Sequence, residues 1–396
     1  MSRLTRRQFL SRSAAIGCSL AASPLVTPVT LASAPGDARL VVIILRGAMD
    51  GLDVLPPLGD PEFAALRPDH AATPLDGFYG LHPALDPLRP LWDKGALAFA
   101  HAVSTPYRDA RSHFDGQDLL EAGTAMDALG RLRDGWLNRL LAQMPGAVAR
   151  TAYSVGLGDM LLMRGDAPVA NWSPDAALLL SPQAERLLEG VLHDDPLFRE
   201  AAAEAIDLSR DDAMAATATA ADMMSASAAP AARSDAIAEF AAARLREDAR
   251  IAAFSLTGFD THANQHRTLP RALTRLASAI TALETGLGPA VWQRTAVVAI
   301  TEFGRTARLN GSGGTDHGTA GAMIMAGGAL RGGRVEADWP GLSEAALYQR
   351  RDLRPTRDLR AHLAWIIRGL YGSDIAALER DLFPGLDMGT DPRLIV

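Results

Sequence analysis

The residues Leu-Val-Val-Ile-Ile-Leu-Arg at positions 40–46 decide the predicted fold, because apolar and mostly β-branched side chains follow one another there without a polar interruption. Such a run is typical of a strand buried on both faces, as in a parallel sheet. It ends in Gly-Ala-Met-Asp-Gly-Leu-Asp at positions 47–53. Ligand sites in open α/β sheets lie outside the carboxyl ends of the strands, so Asp50 and Asp53 are expected at a site. An Asx turn or a helix N-cap would explain one of them but hardly both.

Further buried-strand patterns recur along the chain and alternate with amphipathic helical patterns. The strand patterns cover residues 96–103, 151–157, 250–257, 294–301 and 322–326, and the helical patterns cover residues 134–144, 267–287 and 356–371. This alternation predicts an α/β fold with a mainly parallel sheet and helices on both faces. Residues 177–248 are Ala-rich and helical in pattern, and we predict an inserted cap there within a single domain of residues 35–396.

The first 34 residues have the features of a twin-arginine export signal. Arg6 and Arg7 precede a stretch of small and apolar residues at 13–31, which ends in Ala-Ser-Ala at 32–34. This pattern predicts a signal peptide over residues 1–34, with the Tat translocon as a partner during export and a periplasmic or secreted location. Pro24 and Pro28 interrupt the apolar stretch, so no stable membrane span is expected.

Charge and cysteine content restrict the function further. The formal net charge is −7, and removal of the four arginines in residues 1–34 leaves −11. An acidic protein of this kind is not expected to bind nucleic acid or an anionic membrane surface. Cys18 is the one cysteine and lies in the predicted signal peptide. A metal in the exported protein must therefore be held by histidine and carboxylate.

Clusters of polar residues come directly after several of the predicted strands. The clusters are Ser112-His113, Asp260 with His262, Glu302, and Asp316-His317 in the glycine-rich loop 311–321. Parallel strands bring all of them, with Asp50, to one edge of the sheet. Imidazole and carboxylate groups there predict one or two divalent ions, with Zn, Mg, Mn and Ca all compatible. Ser112 near a helix N-terminus could be a metal-activated nucleophile, or it could only cap the helix.

Five segments in order carry a family resemblance. They are Arg-Gly-Ala-Met-Asp-Gly-Leu (46–52), Arg-Ser-His-Phe-Asp-Gly-Gln-Asp (111–118), Gly-Phe-Asp-Thr-His-Ala-Asn-Gln (258–265), Thr-Glu-Phe-Gly-Arg-Thr (301–306) and Gly-Thr-Asp-His-Gly (314–318). The chain resembles domain of unknown function family 1501, whose bacterial members are commonly twin-arginine-exported and grouped with the alkaline phosphatase and sulfatase superfamily. The resemblance implies an alkaline phosphatase-like three-layer α/β/α sandwich with a helical insertion.

The resemblance also implies roles for individual residues. The first Asp of the superfamily matches Asp50, and its Ser or Thr nucleophile matches Ser112, with Thr105 as a weaker match. Its later Asp and His pair resembles Asp260 and His262, with a shorter spacing here.

Two alignments compete for the remaining ligands of the superfamily pattern. In one, Asp316 and His317 form its Asp-His-Gly. In the other, Glu302-Phe303-Gly304 takes that strand-end position, and His317 is the final His. The second alignment replaces a His by Phe303 and puts a two-metal site in doubt.

These observations lead to one set of site residues and two functional hypotheses. The predicted catalytic residues are Ser112, His113 and Arg111; the predicted substrate-binding residues are Arg46 and Arg305; the predicted metal ligands are Asp50, Asp260, His262, Glu302, Asp316 and His317. The first hypothesis is an exported metal-dependent hydrolase that acts on a small phosphate or sulfate ester through Ser112. The rival is a non-catalytic periplasmic metal-binding or assembly protein that keeps the fold. The oligomeric state is not predicted.

Overall fold

A computed structural model describes residues 36–68, 70–129, 131, 133–156, 160–173 and 230–396. The predicted signal peptide and residues 177–229 of the predicted cap lie outside this part of the chain. Within it, every helix is too short or too polar to cross a membrane.

The described strands confirm the α/β prediction. In chain order they are β1 (Arg39–Leu45), β2 (Thr73–Pro74), β3 (Gly80–Leu81), β4 (Leu97–Ser104), β5 (Ala152–Val155), β6 (Ala170–Trp172), β7 (Ile251–Leu256), β8 (Thr295–Ile300), β9 (Gly321–Ala326), β10 (Arg334–Glu336) and β11 (Arg357–Asp358). The sheet runs β10-β4-β9-β8-β1-β7-β5-β6, with β11 beside β4, while β2 and β3 pair separately. Strand β9 is antiparallel to its neighbours β4 and β8, and the other pairings in the sheet are parallel.

The helices differ from the predicted ones mainly at their ends. They are α1 (Gly51–Val54), α2 (Phe63–Leu66), α3 (Arg89–Asp93), α4 (His113–Ala122), α5 (Trp136–Ala142), α6 (Pro230–Arg246), α7 (Gln265–Trp292), α8 (Leu359–Tyr371) and α9 (Ile375–Ala377), with short 3₁₀ or π turns at Pro83–Leu88, Met126–Ala128, Ala149–Thr151, Leu161–Met163 and Leu378–Leu382. Helix α8 was predicted to begin at residue 356. It begins later because residues 357 and 358 pair with β4, and the Asp358 carboxylate caps the helix by accepting from Arg360 N–H.

Two hydrophobic cores lie on opposite faces of the sheet, and strand β1 contributes to both. Val41, Ile43 and Leu45 join a core that contains apolar residues of α6 and α7. The alternate residues, such as Val42 and Ile44, join a second core that contains residues of α5 and α8. Because neighbouring side chains on a strand point to opposite faces, a run that is apolar throughout must be covered on both sides. The helices provide that cover.

Helix α6 falls within the segment that was predicted as an inserted cap. Ala238, Ala241 and Leu245 on this helix are fully buried in the same core as α7. The described end of the segment is thus part of the helical layer on the sheet.

The loops after β1, β4, β7 and β8 leave the sheet at the same edge, since these four strands run in one direction. The predicted polar clusters all lie in these loops or at the start of α4. Strand direction therefore brings together residues that are far apart in sequence.

Candidate metal centre

Three imidazoles surround the Asp260 carboxylate, which lies in the loop after β7. Asp260 Oδ1 is 3.0 Å from His262 Nε2, 3.4 Å from His113 Nε2 and 3.6 Å from His317 Nε2. His262 Nε2 and His317 Nε2 are themselves 3.0 Å apart. Donors bonded to a tetrahedral zinc at about 2.0–2.1 Å are roughly 3.3 Å from one another. We call these four residues the donor cluster. The ligand atoms of His113, Asp260 and His317 all lie within 4.8 Å of one another, close enough to share one ion, and His262 lies beside Asp260 and His317.

Helix α4 places His113 in the cluster, and Glu302 fixes the orientation of its ring. Glu302 is fully buried at the end of β8, and its Oε1 lies 2.8 Å from His113 Nδ1. The same oxygen accepts from Gly47 N–H at 3.0 Å and from Gln117 Nε2 at 3.1 Å. The structure thus places Glu302 behind His113, whereas the sequence had suggested a direct metal ligand. Metal-binding histidines are commonly held in this way by a carboxylate on the other ring nitrogen.

The other two histidines of the cluster are also held through Nδ1. His317 Nδ1 is 2.8 Å from the Arg111 carbonyl oxygen, and His262 Nδ1 is 3.4 Å from Asp316 Oδ1. Arg111 has a left-handed backbone (φ 55°), a conformation of roughly 1–3 kcal/mol cost for a non-glycine residue. An oxygen on each Nδ1 favours the tautomer that leaves the Nε2 lone pair free toward Asp260. Asp316, predicted as a ligand, supports His262 instead.

The charge states suit cation binding. Burial alone would raise the pKa of Asp260, but the Arg305 guanidinium and nearby imidazoles outweigh it and lower that pKa. Burial would likewise raise the pKa of Glu302, and hydrogen bonds from His113 and others lower it. The hydrogen bond to Glu302 raises the pKa of His113, while burial lowers the pKa of His317. Asp260 and Glu302 are therefore carboxylates at neutral pH.

An aromatic side chain forms one wall of the cluster and leaves a polar atom without a partner. Phe303 stacks on His113 with ring centroids 5.2 Å apart, and its centroid is 5.3 Å from that of His317. His113 Nε2 is buried and has no hydrogen-bond partner among the described residues. A buried, unpaired imidazole nitrogen is costly unless something binds it. A metal ion at the cluster would satisfy it.

Glycines allow the loops of the cluster to approach one another. A Cβ at Gly314 would lie 2.3 Å from the His262 carbonyl carbon. Gly47 has φ +113°, and a Cβ there would lie 2.5 Å from Asp260 N. The close approach explains why the loops at 47–53 and 311–321 are rich in glycine.

The structure does not bring Asp50 to the cluster. Arg67 NH1 donates to Asp50 Oδ2 at 2.8 Å and to Asp53 Oδ1 at 2.6 Å, and Gln265 Nε2 donates to both carboxylates at 2.7 and 2.5 Å. Asp50 also caps α1, as the alternative reading of its motif expected. Burial would raise the pKa of Asp50, but the charge of Arg67 outweighs it and lowers that pKa. The Arg67 guanidinium therefore binds the Asp50 carboxylate, for which the sequence analysis predicted a metal ion.

Arg67 and Gln265 are the site residues that sequence reasoning missed. Gln265 Oε1 accepts from the hydroxyls of Thr261 and Thr315 at 2.6 Å each, which ties the Asp50 network to both loops of the cluster. Gln265 is the last residue of the third segment that carries the family resemblance, so that segment could have identified it. Arg67 lies between short turns in a Pro- and Gly-rich stretch, where no periodicity marks a buried residue.

Two predicted substrate-binding arginines are engaged within the protein. Arg46 binds Gln117 Oε1 at 2.6 Å and Glu121 Oε1 at 2.8 Å. Arg305 is buried and donates to Asp260 Oδ1 at 2.9 Å and to the Thr315 carbonyl at 2.6 Å. Both are thus partners of internal groups. Arg305 holds the carboxylate of the donor cluster.

Arg111 differs from these two because its side chain is exposed and its guanidinium has no ion pair or hydrogen bond with any described residue. Its carbonyl supports His317, so its backbone lies directly beside the cluster. Of the three predicted arginines, Arg111 is the one available to an anion.

Ser112 caps α4 and is partly exposed. Its Oγ accepts from Asp115 N–H at 3.3 Å, and its N–H donates to Tyr107 Oη at 2.7 Å. Thr105, the weaker candidate nucleophile, is buried and donates to the Glu302 carbonyl at 3.0 Å. Ser112 is therefore the more accessible hydroxyl of the two, although the structure records no contact between it and the donor cluster.

A Glu302→Gln substitution should weaken metal binding about 10–100-fold, because an amide orients His113 less well than a carboxylate does. It should also lower the pKa of His113 in the metal-free protein, since the hydrogen bond to the Glu302 carboxylate that raises this pKa is lost. Dye competition measures the first effect and NMR titration of the imidazole the second. Glu247→Gln, at an exposed ion pair with Arg244, is the matched control. Unchanged metal affinity in Glu302→Gln would show that the pair does not support the centre.

The fold and the cluster together define a mixed α/β protein with a candidate metal centre at the carboxyl edge of a mainly parallel sheet. The profile of the family described as "Protein of unknown function (DUF1501)" matches residues 102–363, which is more than half of the chain. The chain belongs to this family, as the five sequence segments had indicated. No curated protein matches the chain significantly.

Proposed function

We propose that the chain is a metal-dependent hydrolase of phosphate or sulfate esters. The observation that carries the proposal is the convergence of three Nε2 atoms on Asp260 Oδ1, with an oxygen on every Nδ1. Structural zinc sites are closed by four protein ligands, whereas catalytic sites use three and keep one position open. His113, Asp260 and His317 are three such donors, with ligand atoms within 4.8 Å of one another, and His262 lies beside them. The side chains of Asp260 and His262 are 45% and 46% exposed. Solvent and a small ester can therefore reach this cluster.

The charge around the cluster favours one divalent ion. Four carboxylates against two guanidiniums leave two negative charges, and the groups counted are Asp50, Asp53, Asp260 and Glu302 against Arg67 and Arg305. Buried charge is costly unless it is compensated. One divalent cation would balance the excess. Among the described residues, His113, Asp260 and His317 are the one group of at least three donors close enough to share an ion, so the proposal is one ion, not two.

The donor types favour Zn²⁺ within this proposal. Imidazole and carboxylate donors suit zinc, while Mg²⁺ and Ca²⁺ prefer oxygen ligands throughout. An ion held there would act as a Lewis acid on an ester oxygen and reduce the charge barrier to attack. The side chains of the protein have the remaining tasks of holding the ester and attacking it.

Ser112 and Arg111 are the residues proposed for those tasks. The Ser112 hydroxyl would attack the phosphorus or sulfur centre and lose its proton to solvent, while the bond to the ester oxygen breaks and the alcohol leaves with a proton from solvent. Water would then hydrolyse the resulting seryl ester, which releases phosphate or sulfate and restores the hydroxyl. Arg111 would hold the anionic oxygens, since its guanidinium has no partner among the described residues. Ser112 directly precedes His113 in the sequence and Arg111 directly precedes Ser112, and this supports their assignment.

The finer fold and the location of the protein belong to the same proposal. An alkaline phosphatase-like sandwich is supported by the helices on both faces of the sheet and by the site at its carboxyl edge. Export by the twin-arginine route is supported by the sequence pattern of residues 1–34. That route carries folded proteins, which would allow the ion to be bound before export.

A non-catalytic metal-binding protein is the alternative. The observation that favours it is the Ser112 hydroxyl, which accepts a capping hydrogen bond and so has a purely structural use. In that case the ion would be bound without turnover of any ester.

Zinc-loaded protein assayed with aryl phosphates, phosphodiesters and aryl sulfates separates the two functions. We expect chelator-sensitive hydrolysis that falls at least about 1,000-fold in Ser112→Ala, without loss of bound zinc. Ser343→Ala, at an exposed serine, is the control. Zinc bound with no hydrolysis would support the alternative. Folded protein that binds no divalent ion would refute both functions.

A further inference from the structure

We infer that the centre acts on singly charged esters, such as phosphodiesters and sulfate monoesters, in preference to doubly charged phosphate monoesters. The inference rests on the proposed function. It adds the charge of the substrate, which the proposal leaves open.

The first step is the charge that a bound ion would leave. Asp316 apart, the buried network and Asp260 carry two excess negative charges, which a single divalent cation would balance. An ester anion that approaches this centre meets a Lewis acid but no surplus of fixed positive charge. A second cation would normally neutralise a dianion in such sites, and the donors for one are absent from the described residues around the cluster.

The second step concerns the arginines beside the cluster. The Arg305 guanidinium donates to the Asp260 carboxylate and to the Thr315 carbonyl, and Arg351 forms an ion pair with Asp352 at 2.7 Å. Arg111 adjoins the cluster and has no partner in the described part of the chain. One free guanidinium matches one anionic charge.

The third step concerns Asp316, whose negative charge lies on the solvent-exposed side of the donor cluster. The Asp316 carboxylate is 59% exposed and lies 3.4 Å from His262 Nδ1. Asn310 Nδ2 also donates to Asp316 Oδ1 at 3.1 Å, and an exposed aspartate is a carboxylate at neutral pH. A second negative charge on the ester would be repelled by Asp316 and would have no cation to bind. A neutral second substituent, as in a diester, avoids this repulsion.

The test compares two ligands that differ by one charge. Dimethyl phosphate carries one negative charge and methyl phosphate carries two at pH 8. Calorimetric titration of the zinc-loaded protein should show dimethyl phosphate binding at least about tenfold more tightly. Arg111→Gln should weaken dimethyl phosphate binding about tenfold. Arg246→Gln removes the same charge at an exposed arginine on the last turn of α6 and should leave binding unchanged.

Each outcome bears on a defined claim. Tighter binding of methyl phosphate by a zinc-loaded protein would overturn the inference and leave the metal centre intact. Equal weakening by Arg111→Gln and Arg246→Gln would remove Arg111 from the site. Failure to bind zinc, or zinc-loaded protein that binds neither phosphate and hydrolyses no ester, would overturn the inference together with the proposed function.

Discussion

Zinc binding by the folded protein should fall by more than about 100-fold when His317 is replaced by alanine. His317 Nε2 is one of the atoms around Asp260 Oδ1, and loss of a direct donor costs more than the 10–100-fold typical of a supporting residue. The fold should persist because His317 lies in an edge loop, outside the apolar cores. Competition with a chelating dye measures the affinity, and circular dichroism checks the fold.

The matched control for that substitution is His266→Ala. His266 is exposed on α7, four residues after His262, and it contacts none of the cluster residues. Its loss should leave zinc affinity unchanged. Equal affinities in the wild-type protein and in His317→Ala would mean that the four side chains converge for a structural reason alone.

Arg67→Met should lower the free energy of unfolding by about 3–5 kcal/mol. The guanidinium is 1% exposed and is bound to Asp50 and Asp53, so its removal leaves two carboxylates near one another without a counter-charge. Methionine fills similar space but donates no hydrogen bond, and the carbonyls of residues 306 and 307 also lose their donor. Denaturant unfolding of the metal-free protein measures the change.

A surface ion pair provides the comparison for Arg67. Arg350 pairs with Glu344, and the two side chains are 76% and 59% exposed, so Arg350→Met should change stability by no more than about 1 kcal/mol. Adding Asp50→Asn and Asp53→Asn to Arg67→Met should restore part of the loss, because the uncompensated charges disappear. A small effect of Arg67→Met alone would show that the carboxylates are neutral in the fold.

The sheet could be predicted because its strands are buried on both faces. The runs at residues 40–45 and 296–300 are continuous apolar sequences, and burial alone accounts for them. Short strands escaped prediction: β10 and β11 have three and two residues and are only half-buried. Their pairing with β4 depends on tertiary contacts that leave no local pattern.

The sequence predicted the residue types of the site better than it predicted their arrangement in space. The residue types and the sheet edge follow from the sequence, and Asp260, His262 and His317 do meet. Whether Glu302 or His113 faces the centre depends on how α4 approaches β8, which local sequence does not encode. Asp50 looked like a ligand because its counter-ion, Arg67, comes from a loop without periodicity.

The two alignments to the superfamily pattern stay predictions. Glu302-Phe303-Gly304 lies just after β8, and His317 lies beside Asp260 and His262. On this ground we propose the second alignment, in which Phe303 takes the place of a histidine. In the structure the Phe303 ring stacks on His113.

The metal content of the folded wild-type protein tests the central claim most directly. The protein should be incubated with excess Zn²⁺, freed of unbound metal by gel filtration, and measured by inductively coupled plasma mass spectrometry against protein concentration. The donor cluster predicts one zinc ion per chain. Folded protein that retains no zinc would contradict the metal centre. Two zinc ions per chain would contradict the account in which Arg67, and not a second ion, binds the Asp50 and Asp53 carboxylates.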